Sequence, residues 1–148
     1  VVTNHLASVN LVALSEAMMT SHRAGIDLNT TYEAIRISSG NSFVHETESQ
    51  VILNGSRNIN FTLDLVVKDM SLFQGVADRG DVPLEISPLL LRIFQDGEKR
   101  YGSGEWSPNI VRRLEDACGT KLLAPGYPPE IIDSEDEIPG KEVSGHRR

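Results

Sequence analysis

The chain has 148 residues, a formal net charge of −7, a hydrophobic fraction of 39% and a single cysteine, Cys118. That length predicts one domain with enough chain to bury a core. The acidic balance argues against a nucleic-acid partner, and the lone cysteine excludes an internal disulfide framework or a cysteine metal cluster and fits a reducing, cytoplasmic compartment.

The first predicted element is a long helix from Asn4 to Ala24, rich in Leu, Val, Ala and Met, with Gly25 as its stop. Ser8, Asn10, Ser15 and Glu16 interrupt it well short of the roughly 20 apolar residues a membrane span needs, so no membrane partner is expected. A helix this apolar on every side belongs at the centre of a fold. One small domain has too few partners to cover it, so self-association is expected. Asn4, Ser8 and Ser15 share one line along the helix. Such a line either packs closely on another helix or walls a polar cleft.

Further helices follow with clear punctuation, five or six in all. Thr30-x-x-Glu33 reads as a capping box before Tyr32, Ala34, Ile35 and Ile37. A third helix runs from about Ser42 to Asn54 and stops at Gly55; residues 56–60 form a polar loop. The next helix carries Lys68 and Asp69 and ends at Gly80. Ser87-Pro88 and Ser107-Pro108 each read as an N-cap followed by a proline at the first helical position. No alternating strand pattern competes. From Ala124 the composition turns proline-rich and acidic, which predicts a domain over residues 1–123 and an extended tail over 124–148.

Lys68 and Asp69 stand inside an otherwise apolar run. Val66, Met70, Phe73 and Ala77 make one stripe, with Asp69 at its edge, while Lys68 points toward Leu72 and Gly75. Both sides of the helix are expected to be covered. The two charges then form either a structural pair with a snorkelling lysine or part of a site. Other motifs are absent. There is no Gly-x-Gly-x-x-Gly and no P-loop. The four histidines are scattered, and His45-Glu46 fails as a zinc motif because position 49 is Ser, so no metal site is expected.

Four passages in order resemble the β-hydroxyacid dehydrogenases, the 3-hydroxyisobutyrate dehydrogenase group. They are Ser15-Glu-Ala-Met-Met continuing to Ala24-Gly-Ile-Asp27, the turn Ser38-Ser-Gly40, Phe61 followed by Lys68-Asp69, and Tyr101-Gly-Ser-Gly104. The resemblance covers Asn4 to about Glu115 and is to the family's C-terminal helical domain. It implies an all-α fold, a helical bundle like the C-terminal domain of 6-phosphogluconate dehydrogenase, here followed by the extended acidic, proline-rich tail. It also implies an N-terminal Rossmann domain as partner, NAD or NADP as cofactor in the full-length protein, a small 3-hydroxy acid as substrate, and a homodimer or tetramer.

In the family a catalytic lysine opens the first helix in the pattern Lys-x-x-x-Asn. Asn4 matches that asparagine, so the lysine is expected just before Val1, outside this chain, and the chain alone is expected to be inactive. The resemblance makes Asn4 a catalytic-site residue and Phe61 a wall of the cleft. It places Lys68 near substrate or cofactor and makes Asp69 the residue that holds Lys68 or its helix. A lysine beside the alcohol acts as general acid or base, an asparagine orients the oxygen, and a second cation attracts a carboxylate or a cofactor oxygen. Two other readings stand beside this one: a catalytically inactive dimerisation or scaffold domain, and an imine-reductase relative.

Overall fold

Helix α1 (Val2–Arg23) is the axis on which the rest of the chain is laid. In the computed structural model, which describes residues 1–131 and 139–140, it is followed by α2 (Leu28–Arg36), α3 (Phe43–Asn54), α4 (Leu63–Arg79) and α5 (Ile86–Tyr101). A 3₁₀ turn (Ser107–Val111) then leads into α6 (Arg112–Cys118). Helix α1 touches every one of these elements. It contributes Leu11, Leu14, Met18 and Met19 to a core completed by Ile52 and Leu53 of α3, Leu63, Val66 and Met70 of α4, and Leu90 and Phe94 of α5. Ile110, Val111 and Leu122 close it. The described residues hold no strand, only an isolated antiparallel bridge between Thr62 and Trp106. No helix among them is long and apolar enough to cross a membrane.

Several helix ends follow local chemistry. Ser42 accepts a hydrogen bond from the His45 backbone N–H at 3.1 Å, and Gly55 ends α3 in the left-handed region at φ 92°. Three starts differ from expectation, one of them Ser107, which is buried as the first residue of the 3₁₀ turn and makes no side-chain capping bond. Asp27, not Thr30, caps α2: its carboxylate accepts from the Thr30 N–H at 2.9 Å, which takes the donor a Thr30 box would have left outside the helix. Helix α5 begins at Ile86, so Ser87 lies inside its first turn, buried, and does not cap it.

Helix α4 is covered on one side only. Val66, Met70 and Ala77 are buried, but Leu72 is 52% exposed and the Lys68 side chain 59% exposed. Among the described residues nothing supplies the covered surface expected around Lys68. Isolated exposed leucines are common on protein surfaces and do not by themselves mark a buried face.

Residues after α6 are not a free tail at their start. Leu122 is fully buried, and its N–H donates to Glu115 Oε1 at 2.8 Å. The Ala124 N–H donates to the Leu53 carbonyl at 3.0 Å, and Asn54 Nδ2 donates to the Tyr127 carbonyl at 2.8 Å. Tyr127 meets Tyr32 edge to face, with ring centroids 5.2 Å apart. Most of the expected tail, 132–138 and 141–148, lies outside the described residues.

Candidate functional site

Two contacts join the start of α1 to the middle of α4. Asn4 Nδ2 donates to Asp69 Oδ2 at 2.5 Å, and the His5 ring stacks on Phe73 with centroids 3.9 Å apart. Asp69 is buried, and its other oxygen, Oδ1, faces Lys68 Nζ at 3.7 Å. Lys68, Asp69 and Asn4 thus form a short polar relay, with the buried Asp69 between an exposed lysine and a half-buried asparagine. An amide can donate to a carboxylate only through its nitrogen, so this bond leaves the Asn4 carbonyl oxygen as the acceptor.

The relay ends at a pocket of about 400 Å³. Asn4, Ala7, Ser8 and Leu11 of α1 line it, with Phe43, Val44, Thr47 and Glu48 of α3. Ile59 and Phe61 of the α3–α4 loop, Val66, Ser107 and Ile131 complete the wall. The lining is largely apolar with a few polar groups, the composition of a small-molecule site. The Ser8 hydroxyl is occupied, donating to the Asn4 carbonyl of the same helix at 2.8 Å.

Of the four residues expected from sequence, Asn4 and Phe61 line the pocket. Asp69 and Lys68 adjoin it through Asn4 without lining it. The line of small polar residues on α1 divides. Asn4 and Ser8 face the pocket, while Ser15 is buried and donates to the Leu11 carbonyl at 2.7 Å.

Sequence reasoning missed Glu48. Its Oε2 is sealed from solvent without a hydrogen-bond partner, and burial pushes its carboxyl up to about 7. A signal was present: Glu48 lies one turn beyond Val44, on the side of α3 that also buries Ile52. An acid on an apolar stripe is unusual enough to mark. Nearby, His45 is a structural residue. Its Nε2 donates to the Tyr32 carbonyl at 2.9 Å, so its Nδ1 accepts from Ser49 Oγ at 2.9 Å. Burial lowers its pKa, consistent with that neutral ring.

Residues 1–114 match the family model described as NAD-binding of NADP-dependent 3-hydroxyisobutyrate dehydrogenase. The chain is 32% identical over 123 residues to 2-(hydroxymethyl)glutarate dehydrogenase of Eubacterium barkeri, a match covering 82% of this chain and 41% of that protein. It is 30% identical to L-threonate dehydrogenase of Escherichia coli, over 71% of this chain and 35% of the relative. The crystal structure of a 3-hydroxyisobutyrate dehydrogenase from Salmonella typhimurium superposes with a TM-score of 0.70 at 27% identity, over 76% of this chain and 39% of that one. The chain therefore spans about two fifths of the length of these relatives.

The match corrects the expected fold class. The helices stand, but the matched unit is described by NAD binding and not as a C-terminal helical domain of the 6-phosphogluconate dehydrogenase type. Periodicity and capping report where helices lie, and carry no information on which part of a longer enzyme they build. The family's cofactor is a nicotinamide dinucleotide. With most of its length matched in this way, the chain belongs to the 3-hydroxyisobutyrate dehydrogenase family of NAD(P)-dependent hydroxyacid dehydrogenases.

Proposed function

We propose that this chain forms the wall of the substrate cleft in an enzyme that oxidises a small 3-hydroxy acid by hydride transfer. The observation that carries the reading is the convergence of Asn4 with Asp69, 65 positions away in sequence, at the edge of a pocket that Phe61 also lines. Asn4 presents its carbonyl oxygen to a ligand hydroxyl, with the amide held still by Asp69. Lys68, exposed at the outer end of the relay, supplies a cation for the substrate carboxylate or a cofactor oxygen.

The residues present fit the nicotinamide end of the cofactor. Phe61 and Val66 offer an apolar wall, with the polar edge of Asn4 beside it. They do not fit its pyrophosphate, because the sequence holds no glycine-rich phosphate-binding turn. When bound, NAD or NADP takes up the hydride. A further dinucleotide-binding domain is proposed to complete the site, with residues 1–123 as the working unit here, 124–148 as a tail, and the enzyme a cytoplasmic homodimer or tetramer. The exposed apolar side chains Val2 and Leu6 of α1 support self-association.

The test is the complete enzyme assayed for NADH or NADPH formation with 3-hydroxyisobutyrate, L-threonate and 2-(hydroxymethyl)glutarate. Turnover of at least one is the expected result. Absence of turnover with these and related 3-hydroxy acids, by an enzyme that binds the cofactor, would overturn the reading.

A further inference from the structure

Asn4 has a neighbour that grips the same helix as Asp69. His5 lays its ring flat on Phe73 of α4, with centroids 3.9 Å apart and planes 8° from parallel. Successive helix positions point about 100° apart, so Asn4 and His5 leave α1 in different directions. Both still land on α4, because their partners Asp69 and Phe73 stand one turn apart on one side of it. Of residues 1–6, only these two are even half-buried. One hydrogen bond alone would let this first turn of α1 roll about its axis. A second attachment in another direction stops the roll. His5 is also an unusual group for the task. Its Nδ1 is sealed from solvent without a hydrogen-bond partner. Burial lowers its pKa, so the ring is neutral at pH 7. An imidazole that uses neither its charge nor that nitrogen contributes its flat face.

We propose that His5 is a positioning residue: its stack on Phe73 fixes the roll of the first turn of α1, and with it the angle at which the Asn4 amide meets a ligand. The inference rests on reading Asn4 as the group that orients the substrate hydroxyl, and it deepens that reading by naming what sets the angle. His5 is not part of the pocket wall, so it acts through Asn4. Orientation is the quantity at stake, because misplacing a reacting group by about 1 Å can cost about a hundredfold in rate.

Two readouts test the proposal. The first needs no turnover and follows the Nδ2 protons of Asn4 in the ¹⁵N-labelled chain. A proton held by a carboxylate is shifted downfield and exchanges slowly. His5→Ala is expected to bring the two protons together and to speed their exchange roughly tenfold, while the core signals of Met18 and Leu53 stay in place. His5→Phe keeps a flat ring that can slide to the offset stack aromatic pairs prefer, and is expected to retain the parent signal. The second readout is the complete enzyme, where His5→Ala is expected to lower kcat roughly tenfold with the cofactor KM unchanged, and His5→Phe to stay within about twofold of the parent. Phe73→Leu removes the ring from the other side, should reproduce His5→Ala, and serves if that variant fails to fold. An unchanged Asn4 signal in His5→Ala, a His5→Phe variant as impaired as His5→Ala, or normal kcat in both His5→Ala and Phe73→Leu would each overturn the proposal. The amide signal is independent of turnover, so a failure here is distinct from a failure of the enzyme assay.

Discussion

Arg57 and Glu115 lie 58 residues apart in sequence, and Arg57 Nη2 donates to Glu115 Oε1 at 2.8 Å with both side chains buried. The same oxygen accepts the Leu122 N–H, so one carboxylate ties the α3–α4 loop, α6 and the segment after it. Arg57 holds a left-handed backbone at φ 59° to reach it. Removing Glu115 leaves the buried Arg57 guanidinium uncompensated, and removing Arg57 leaves Glu115 only the exposed Lys121, whose Nζ lies 3.7 Å from Oε2. Glu115→Ala and Arg57→Ala are each expected to lose about 3–5 kcal/mol, measured by urea unfolding. The double replacement Arg57→Met with Glu115→Met should lose less than either single. Single variants within about 1 kcal/mol of the parent chain would show that the pair does not hold the fold.

The bond between Asn4 and Asp69 gives a second expectation. Asp69→Ala strands the Asn4 amide at a part-buried position and should cost about 1–2 kcal/mol. A double-mutant cycle with Asn4→Ala should return a coupling near 1 kcal/mol. Lys68→Ala, by contrast, removes only an exposed pair at 3.7 Å and should change stability by less than about 0.5 kcal/mol. In the complete enzyme, Lys68→Ala is expected to reduce kcat/KM by an amount worth roughly 2–4 kcal/mol. Normal turnover combined with a much lower melting temperature would make Lys68 a structural residue.

Gly97 of α5 packs against Ile110 of the 3₁₀ turn. A Cβ there would stand 2.5 Å from Ile110 Cδ1, inside the core. Alanine gains about 1 kcal/mol in helix propensity but loses about 1–3 kcal/mol to overpacking, so Gly97→Ala should lower the melting temperature. Trimming the offending methyl with Ile110→Val should make the double variant more stable than the sum of the singles. Additive losses would show that the clash is relieved elsewhere.

Glu48 predicts the sign of a pH dependence. Its carboxyl titrates at about 7 in the folded chain and near 4.5 when unfolded, so between these values the folded state holds the extra proton. Its contribution to stability is fully present below about pH 4.5 and is lost as pH rises toward about 7. Subtracting the stability curve of Glu48→Gln from that of the parent chain isolates this residue from the histidines. The difference should fall by up to about 3 kcal/mol across that window and then flatten, with the glutamine variant the more stable at pH 8. A difference curve that is flat, or that rises with pH, would contradict the buried placement of Glu48.

What could be read in the sequence was set by range. Ser42 and Gly55 bracket α3 because a cap is a contact with a residue three or four positions away. The start of α2 was misjudged because two capping signals, Asp27 and Thr30, compete within one turn, and the earlier one takes the Thr30 N–H. Asn4, Phe61, Lys68 and Asp69 were found through charge placement and family resemblance; Asn4, Asp69 and Lys68 make the relay, and Phe61 lines the pocket with Asn4. Lys68 does point away from the core stripe, but the expected covering of that side was misjudged, because whether a neighbouring leucine is covered depends on elements distant in sequence. Glu48 escaped because its pocket is assembled from α1, α3, α4, the α3–α4 loop, the 3₁₀ turn and the segment after α6. No local pattern on α3 states what lies opposite.

Ile131 lines the same pocket as Asn4, although the chain reaches it only after passing Leu53 and Tyr127. The segment beyond α6 therefore leaves the core at Leu122, crosses exposed positions such as Leu123 and returns to the cavity wall at Ile131, so occupancy of the cavity is legible from outside. In a chain whose Cys118 is changed to Ser, a polarity-sensitive dye on Ile131→Cys would sit at the boundary between solvent and ligand. Its emission would follow filling of the pocket without any chemical turnover, making the fold its own optical sensor.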